Sequence, residues 1–235
     1  MPAASGLAEL LDRLITLEPP RNGVGPGAVS PSGLDRLYRA ARHQVGRPLA
    51  DGAADLLLRR VRAGDRLLLT TGLVAPGIPR GETDGPAGAV TLARAMILGR
   101  RVRVVLVTEA SAVPVLEGAA DALAASEGDR ARWRAALTVL AFPSDPQAAT
   151  VEARRLWIAL QPSALVSVEK LGPNAKGVIH NMLGQDVTAT QARTDRLFPL
   201  ARRARVLTVG IGDRGNEIGL GGLLPRAGRC ACPCG

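Results

Sequence analysis

Five short runs, at 66–71, 102–108, 137–142, 164–168 and 206–209, are almost continuously apolar and rich in Val and Leu. Such runs suit strands buried on both faces, as in a parallel sheet. Helical patterns at 87–98, 112–125, 147–160 and 191–203 separate them. Strand and helix in strict alternation predict a three-layer α/β/α fold, with a mostly parallel, doubly wound sheet of about five or more strands. Ahead of the first strand, 8–17, 34–43 and 49–61 read as helices, with a Pro/Gly-rich loop at 19–31 containing Asn22. The expected organisation is an N-terminal helical extension at 1–48 packed on the domain, an α/β domain at 49–222 and an atypical, disordered Cys-rich tail at 223–235. Cys230, Cys232 and Cys234 alternate in that tail, without the spacing of common zinc sites.

Composition narrows the function. No apolar run approaches the ~18–20 residues of a membrane span, and the N-terminus lacks the signature of a signal peptide. The expectation is a cytoplasmic protein with no membrane partner. A net charge of +9 suits phosphate backbones, but Tyr38, Phe142, Phe198, Trp133 and Trp157 are the only aromatics. Stacking platforms are therefore scarce, the arginines are spread over most helices, and no nucleic-acid partner is expected. A small-molecule substrate is expected instead, and a homo-oligomer is left open. The only lysines are Lys170 and Lys176, in a chain that otherwise uses arginine, and three of its four asparagines, Asn174, Asn181 and Asn216, fall in the same two polar stretches. A compact ammonium differs physically from a planar guanidinium fork, so lysine there carries information.

In open α/β sheets, ligands bind beyond the carboxyl ends of the strands. The loops after the first, fourth and fifth runs are far longer than the usual ~2–6 residues, and loops that long tend to be functional. The fifth holds Gly210, Gly212, Asp213, Gly215, Asn216 and Glu217. Its G-x-G-x-x-G spacing lacks the downstream acid and βαβ context of a dinucleotide site. Its Gly-Asp-x-x-Asn pattern resembles a haloacid-dehalogenase metal loop, but Thr70-Thr71-Gly72 stands where that family needs an aspartate pair. What remains is a nest of N–H groups able to hold an anion, with acids able to handle protons, an ammonium or a cation. The fourth loop offers Glu169 at a strand end, Lys176 to grip a carboxylate and His180 as a proton carrier, while Lys170 reads as solvated. The first loop offers Glu82, with Thr83 or Asp84 to cap the next helix and Pro86 in its first turn.

Gly81-Glu82-Thr83-Asp84-Gly85-Pro86, then Asn174-Ala175-Lys176-Gly177 with His180-Asn181-Met182, then Gly210-Ile211-Gly212-Asp213 with Gly215-Asn216-Glu217-Ile218-Gly219, together resemble the D-glutamate cyclase-like C-terminal domain family, over about 17–221. The resemblance implies a carbon–oxygen lyase converting D-glutamate to 5-oxo-D-proline and water. Arg214 stands where the family usually has a small residue, and 223–235 matches nothing of the strand and helix with which the family continues. In the expected scheme Glu169, His180, Asp213 and Glu217 are catalytic. Glu82, Asp84, Asn174, Lys176, Asn181, Gly210, Gly212, Gly215 and Asn216 bind substrate. No cofactor is assigned with certainty, and Mg²⁺ on Asp213 and Glu217 belongs to the alternative reading. The alternative is a metabolite-binding domain or hydrolase for a carboxylated or phosphorylated small molecule.

Overall fold

A computed structural model describes residues 6–17, 33–125 and 130–223. The expected loop at 19–31 and, apart from Leu223, the expected tail at 223–235 lie outside the described residues. The chain opens with α1 (Gly6–Ile15), α2 (Gly33–Val45) and α3 (Leu49–Arg60). It continues through β1 (Arg66–Thr70), α4 (Asp84–Arg100), β2 (Arg103–Thr108), α5 (Val113–Ala125), α6 (Arg130–Ala136) and β3 (Leu137–Ala141). It then runs through α7 (Pro146–Leu160), β4 (Ala164–Val168), α8 (Leu197–Arg203) and β5 (Leu207–Ile211).

The five strands pair in the order β3-β2-β1-β4-β5, all parallel. Strand alternation sorts side chains into two cores. Leu67, Leu69, Val104, Leu106 and Val166 face α3, α4, α5 and α6, while Leu68, Val105, Val107 and Leu165 face α7 and α8. The fold is a three-layer α/β structure. From β1 the chain steps outward to β3, then returns to place β4 on the other side of β1. Loops leaving β1 and β4 therefore diverge at the strands' carboxyl ends, where open α/β sheets bind their ligands.

The N-terminal helices are fastened by one buried acid. Pro48 at the start of α3 supplies no side-chain cap. Asp12 of α1 caps that helix instead, accepting from the Leu49 N–H at 2.6 Å, the Ala50 N–H at 3.0 Å and the Tyr38 hydroxyl at 3.1 Å. Asp12→Ala leaves these donors unpaired, and a loss of about 2 kcal/mol is expected, read as a lower urea midpoint at unchanged slope.

Three sequence expectations need correction. The helix expected at 191–203 begins only at Leu197, because Gln191 and Ala192 turn their polar groups into a buried network described below. Helix α6 was not expected, since seven residues carry too little periodicity; it is held by Trp133, whose Nε1 donates to the Ala120 carbonyl at 3.0 Å. β5 and β3 lie at the two sheet edges, where β5 exposes Thr208, Gly210 and Ile211 and β3 exposes Thr138 and Ala141, so neither is buried on both faces. Among the described residues, no helix is long and apolar enough to cross a membrane.

Candidate functional site

Register brings the site together. Thr70, Ser167 and Gly210 lie side by side in β1, β4 and β5, so the chain leaves all three strands at one level. One residue beyond β4, Glu169 donates its backbone N–H to the Ile211 carbonyl at 2.9 Å and then turns to a left-handed φ of 51°. A non-glycine residue held there stores about 1 kcal/mol or more of strain, a feature that clusters at functional sites. The turn lays Glu169 against the start of α4. A Cβ added to Gly85 would stand 3.0 Å from the Glu169 Cβ and 2.8 Å from the Thr71 hydroxyl, so only glycine lets them approach. At that helix start Asp84 Oδ1 accepts from the Gly85 N–H at 2.9 Å, and Thr83 makes no side-chain cap bond.

The β5 loop folds around its own acid. Glu217 Oε1 accepts from the Asp213 and Arg214 N–H groups at 3.2 and 3.0 Å, and Oε2 from the Gly215 N–H at 2.8 Å. The N–H nest expected to hold a substrate anion is thus filled by this chain's own carboxylate. The glycines serve that packing. A Cβ on Gly212 would come within 2.8 Å of the Glu217 side chain, and one on Gly210 within 2.6 Å of the Ile218 carbonyl. The loop is tied to the β4 loop: the Gly172 N–H donates to the Asn216 carbonyl at 2.9 Å, the Ile218 N–H to the Lys170 carbonyl at 2.8 Å, and Asn216 Nδ2 to the His180 carbonyl at 2.8 Å.

The result is a group of acids that feel one another. Burial, then the charges of Glu217, Asp213, Asp84 and Glu82, push the Glu169 carboxyl from 4.5 to about 8. Burial and then Asp84, Asp213 and Glu217 raise Glu82. Burial also raises Glu217, against the opposing pull of its backbone N–H bonds. Like charges in a desolvated site cannot all ionise together. Near neutral pH Glu169 is therefore a neutral acid, able to donate a proton. Glu169, Asp213 and Glu217 each offer an oxygen within 4.8 Å of the others, a spacing that could also hold a cation. Arg214 reaches in from the rim, its Nε 3.4 Å from Asp213 Oδ2. Two buried atoms of these loops, Thr71 Oγ1 and Asn216 Oδ1, have no hydrogen-bond partner among the described residues.

Other candidate residues are used differently. Asn174 Oδ1 accepts from the Lys176 and Val178 N–H groups at 2.9 and 3.1 Å, and Lys176 is exposed. Asn181 Oδ1 accepts from the Leu183 and Gln185 N–H groups at 2.9 and 3.0 Å, shaping its own turn. His180 bridges to Asp186, whose carboxyl is lowered chiefly by hydrogen bonds from Thr188, the backbone N–H at 2.9 Å among them. Lys170, read from sequence as solvated, is wholly buried and paired with Glu109, a residue the sequence did not single out. The one available signal was the scarcity of lysine.

A profile of the family described as D-glutamate cyclase-like, C-terminal, matches residues 12–227. The match takes in α2, α3 and all five strands, and the last turn of α1. No curated protein sequence matches the chain. With the three loop motifs and the α/β fold in agreement with that match, the chain belongs to the D-glutamate cyclase-like C-terminal family.

Proposed function

We propose that this site is that of a carbon–oxygen lyase converting D-glutamate to 5-oxo-D-proline and water. The observation that carries the reading is Glu169, a strand-end carboxyl held in a left-handed turn close to Asp213 and Glu217, where burial and the neighbouring acids push it up to about 8. The substrate has opposite proton demands at its two ends. Its ammonium must lose protons to become a nucleophile, and its γ-carboxylate must gain them to become an electrophile. Groups of separated pKa can meet both demands.

The ammonium sits among the acids, and Asp213 takes one proton from it. Glu169 gives its proton to the γ-carboxylate, which is now attacked by the freed amine. The N–C bond forms, the carbonyl becomes tetrahedral, and the second N–H proton passes to Glu169. Asp213 returns its proton to the departing hydroxyl, the C–O bond breaks, and water leaves. Both side chains end as they began. Because the attack is within one molecule, much of the rate comes from holding the chain bent. The α-carboxylate needs a counter-charge that Lys176, exposed on its loop, does not supply within the acid group. Arg214, a feature of this chain where the family usually has a small residue, is the group assigned to it, with the unpartnered Thr71 hydroxyl as a further donor. Arg214→Ala is expected to raise KM for D-glutamate roughly 10–100-fold with little change in kcat, as for a lost charge-assisted contact.

A second reading is favoured by the 4.8 Å grouping of Glu169, Asp213 and Glu217. There a cation such as Mg²⁺ is bound and a carboxylated or phosphorylated small molecule is hydrolysed. Chelation separates the two: the lyase scheme keeps its turnover in EDTA, whereas a metal-dependent hydrolase loses it.

A further inference from the structure

The polar network under the acid group has no part in the proton transfers just described. Lys170 is wholly buried and Glu109 only 4% exposed. The Lys170 ammonium donates to Glu109 Oε1, to the Gly72 carbonyl at 3.1 Å and to Gln191 Oε1 at 3.1 Å. Three donors meet three acceptors, which explains a lysine in a chain that otherwise uses arginine: a planar fork does not fit a tetrahedral set of acceptors. Glu109 is completed by the Ala192 N–H at 3.0 Å and the Thr108 hydroxyl at 3.1 Å. Gln191 Nε2 in turn donates to the Val74 carbonyl at 2.5 Å. A Cβ on Gly72 would overlap the Thr108 and Glu109 side chains, so the network also dictates a glycine.

These bonds join the segments that follow β1, β2 and β4 with the stretch at Gln191. Buried ion pairs are often no more stabilising than apolar residues of equal volume, so stability alone is a weak reason for one here. Its place supplies another. Lys170 directly follows Glu169, its carbonyl accepts the Ile218 N–H at 2.8 Å, and its neighbour Leu171 bridges to Glu217. Glu169 is thus caught between the Ile211 carbonyl on one side and the buried ammonium on the other. The left-handed turn is the conformation that satisfies both anchors.

We propose that Lys170 and Glu109 are a positioning pair, clamping the end of β4 so that Glu169 is held in its left-handed turn with its carboxyl beside Asp213 and Glu217. The kinetic consequence rests on the cyclase reading; the structural one does not.

The test is the double variant Lys170→Met/Glu109→Gln, which removes both charges at similar volume. Its crystal structure is expected to show Glu169 at negative φ with its carboxyl away from Asp213 and Glu217. Its kcat for D-glutamate is expected to fall about 100-fold, the scale of a lost general acid, with KM within about threefold. A merely structural pair would lower thermal stability and leave Glu169 and kcat where they were. If Glu169 keeps its left-handed turn and its place in the acid group, the proposal is overturned. If Glu169 moves but the wild-type protein forms no 5-oxoproline, the positioning role stands and the cyclase reading fails. Should the double variant not fold, Glu109→Gln alone, which breaks the ion pair at constant volume, is read by the same crystallographic criterion.

Discussion

Glu169→Gln is expected to lower 5-oxoproline formation by about 10²–10⁴-fold while making the folded protein more stable at alkaline pH. The amide keeps the shape of the carboxylic acid but has no proton to give. The stability gain follows from linkage. The Glu169 carboxyl is raised from 4.5 to about 8, so between these values the native state binds a proton that the unfolded chain has released. Stability from this group is fully present below pH 4.5, is lost as pH rises through about 8, and is flat beyond. Glutamine has no such dependence. The melting temperature of the variant should therefore draw ahead of wild type between pH 5 and pH 9, in parallel unfolding scans. A variant that is less stable than wild type throughout would show Glu169 to be ionised in the native protein.

Lys170→Met should be the most destabilising single change, at about 3–5 kcal/mol, because it strands the Glu109 carboxylate in a buried site. For a domain of this size that is a fall of roughly 6–20 °C in Tm. Adding Glu109→Gln should restore most of the loss, since the pair then disappears as a unit. Urea unfolding of the two single variants and the double variant measures the coupling directly. Strict additivity would mean that the two side chains do not depend on each other.

The parallel sheet was legible in the sequence because its strands are short, apolar and separated by long helical patterns. β4 was read with its observed bounds, 164–168, and β1, β2 and β3 within one residue at either end. The gathering of the 81–86, 169–182 and 210–219 loops at one edge followed from the parallel direction alone. What stayed hidden depends on partners distant in sequence. Glu109 sits in an ordinary-looking turn, and its ammonium partner lies 61 residues away. Gln191 looked like the start of a helix, yet its amide is spent on Lys170 and Val74. Spacing in the β5 loop predicted a nest, but not that Glu217 would fill it, because a carboxylate four residues on from Asp213 can point outward or fold back equally well. The left-handed turn at Glu169 carries no sequence signal, since no glycine or asparagine marks it.

Whether these acids form a working cyclase site is decided by incubating the purified protein, beside its Glu169→Gln variant, with D- and L-glutamate and separating any 5-oxoproline by chiral chromatography. Wild type is expected to form 5-oxo-D-proline from D-glutamate, and the variant at least a hundredfold less. Folded wild-type protein that yields no 5-oxoproline from either enantiomer would rule out the cyclase reading, and a Glu169→Gln variant that matches an active wild type would remove Glu169 from the chemistry.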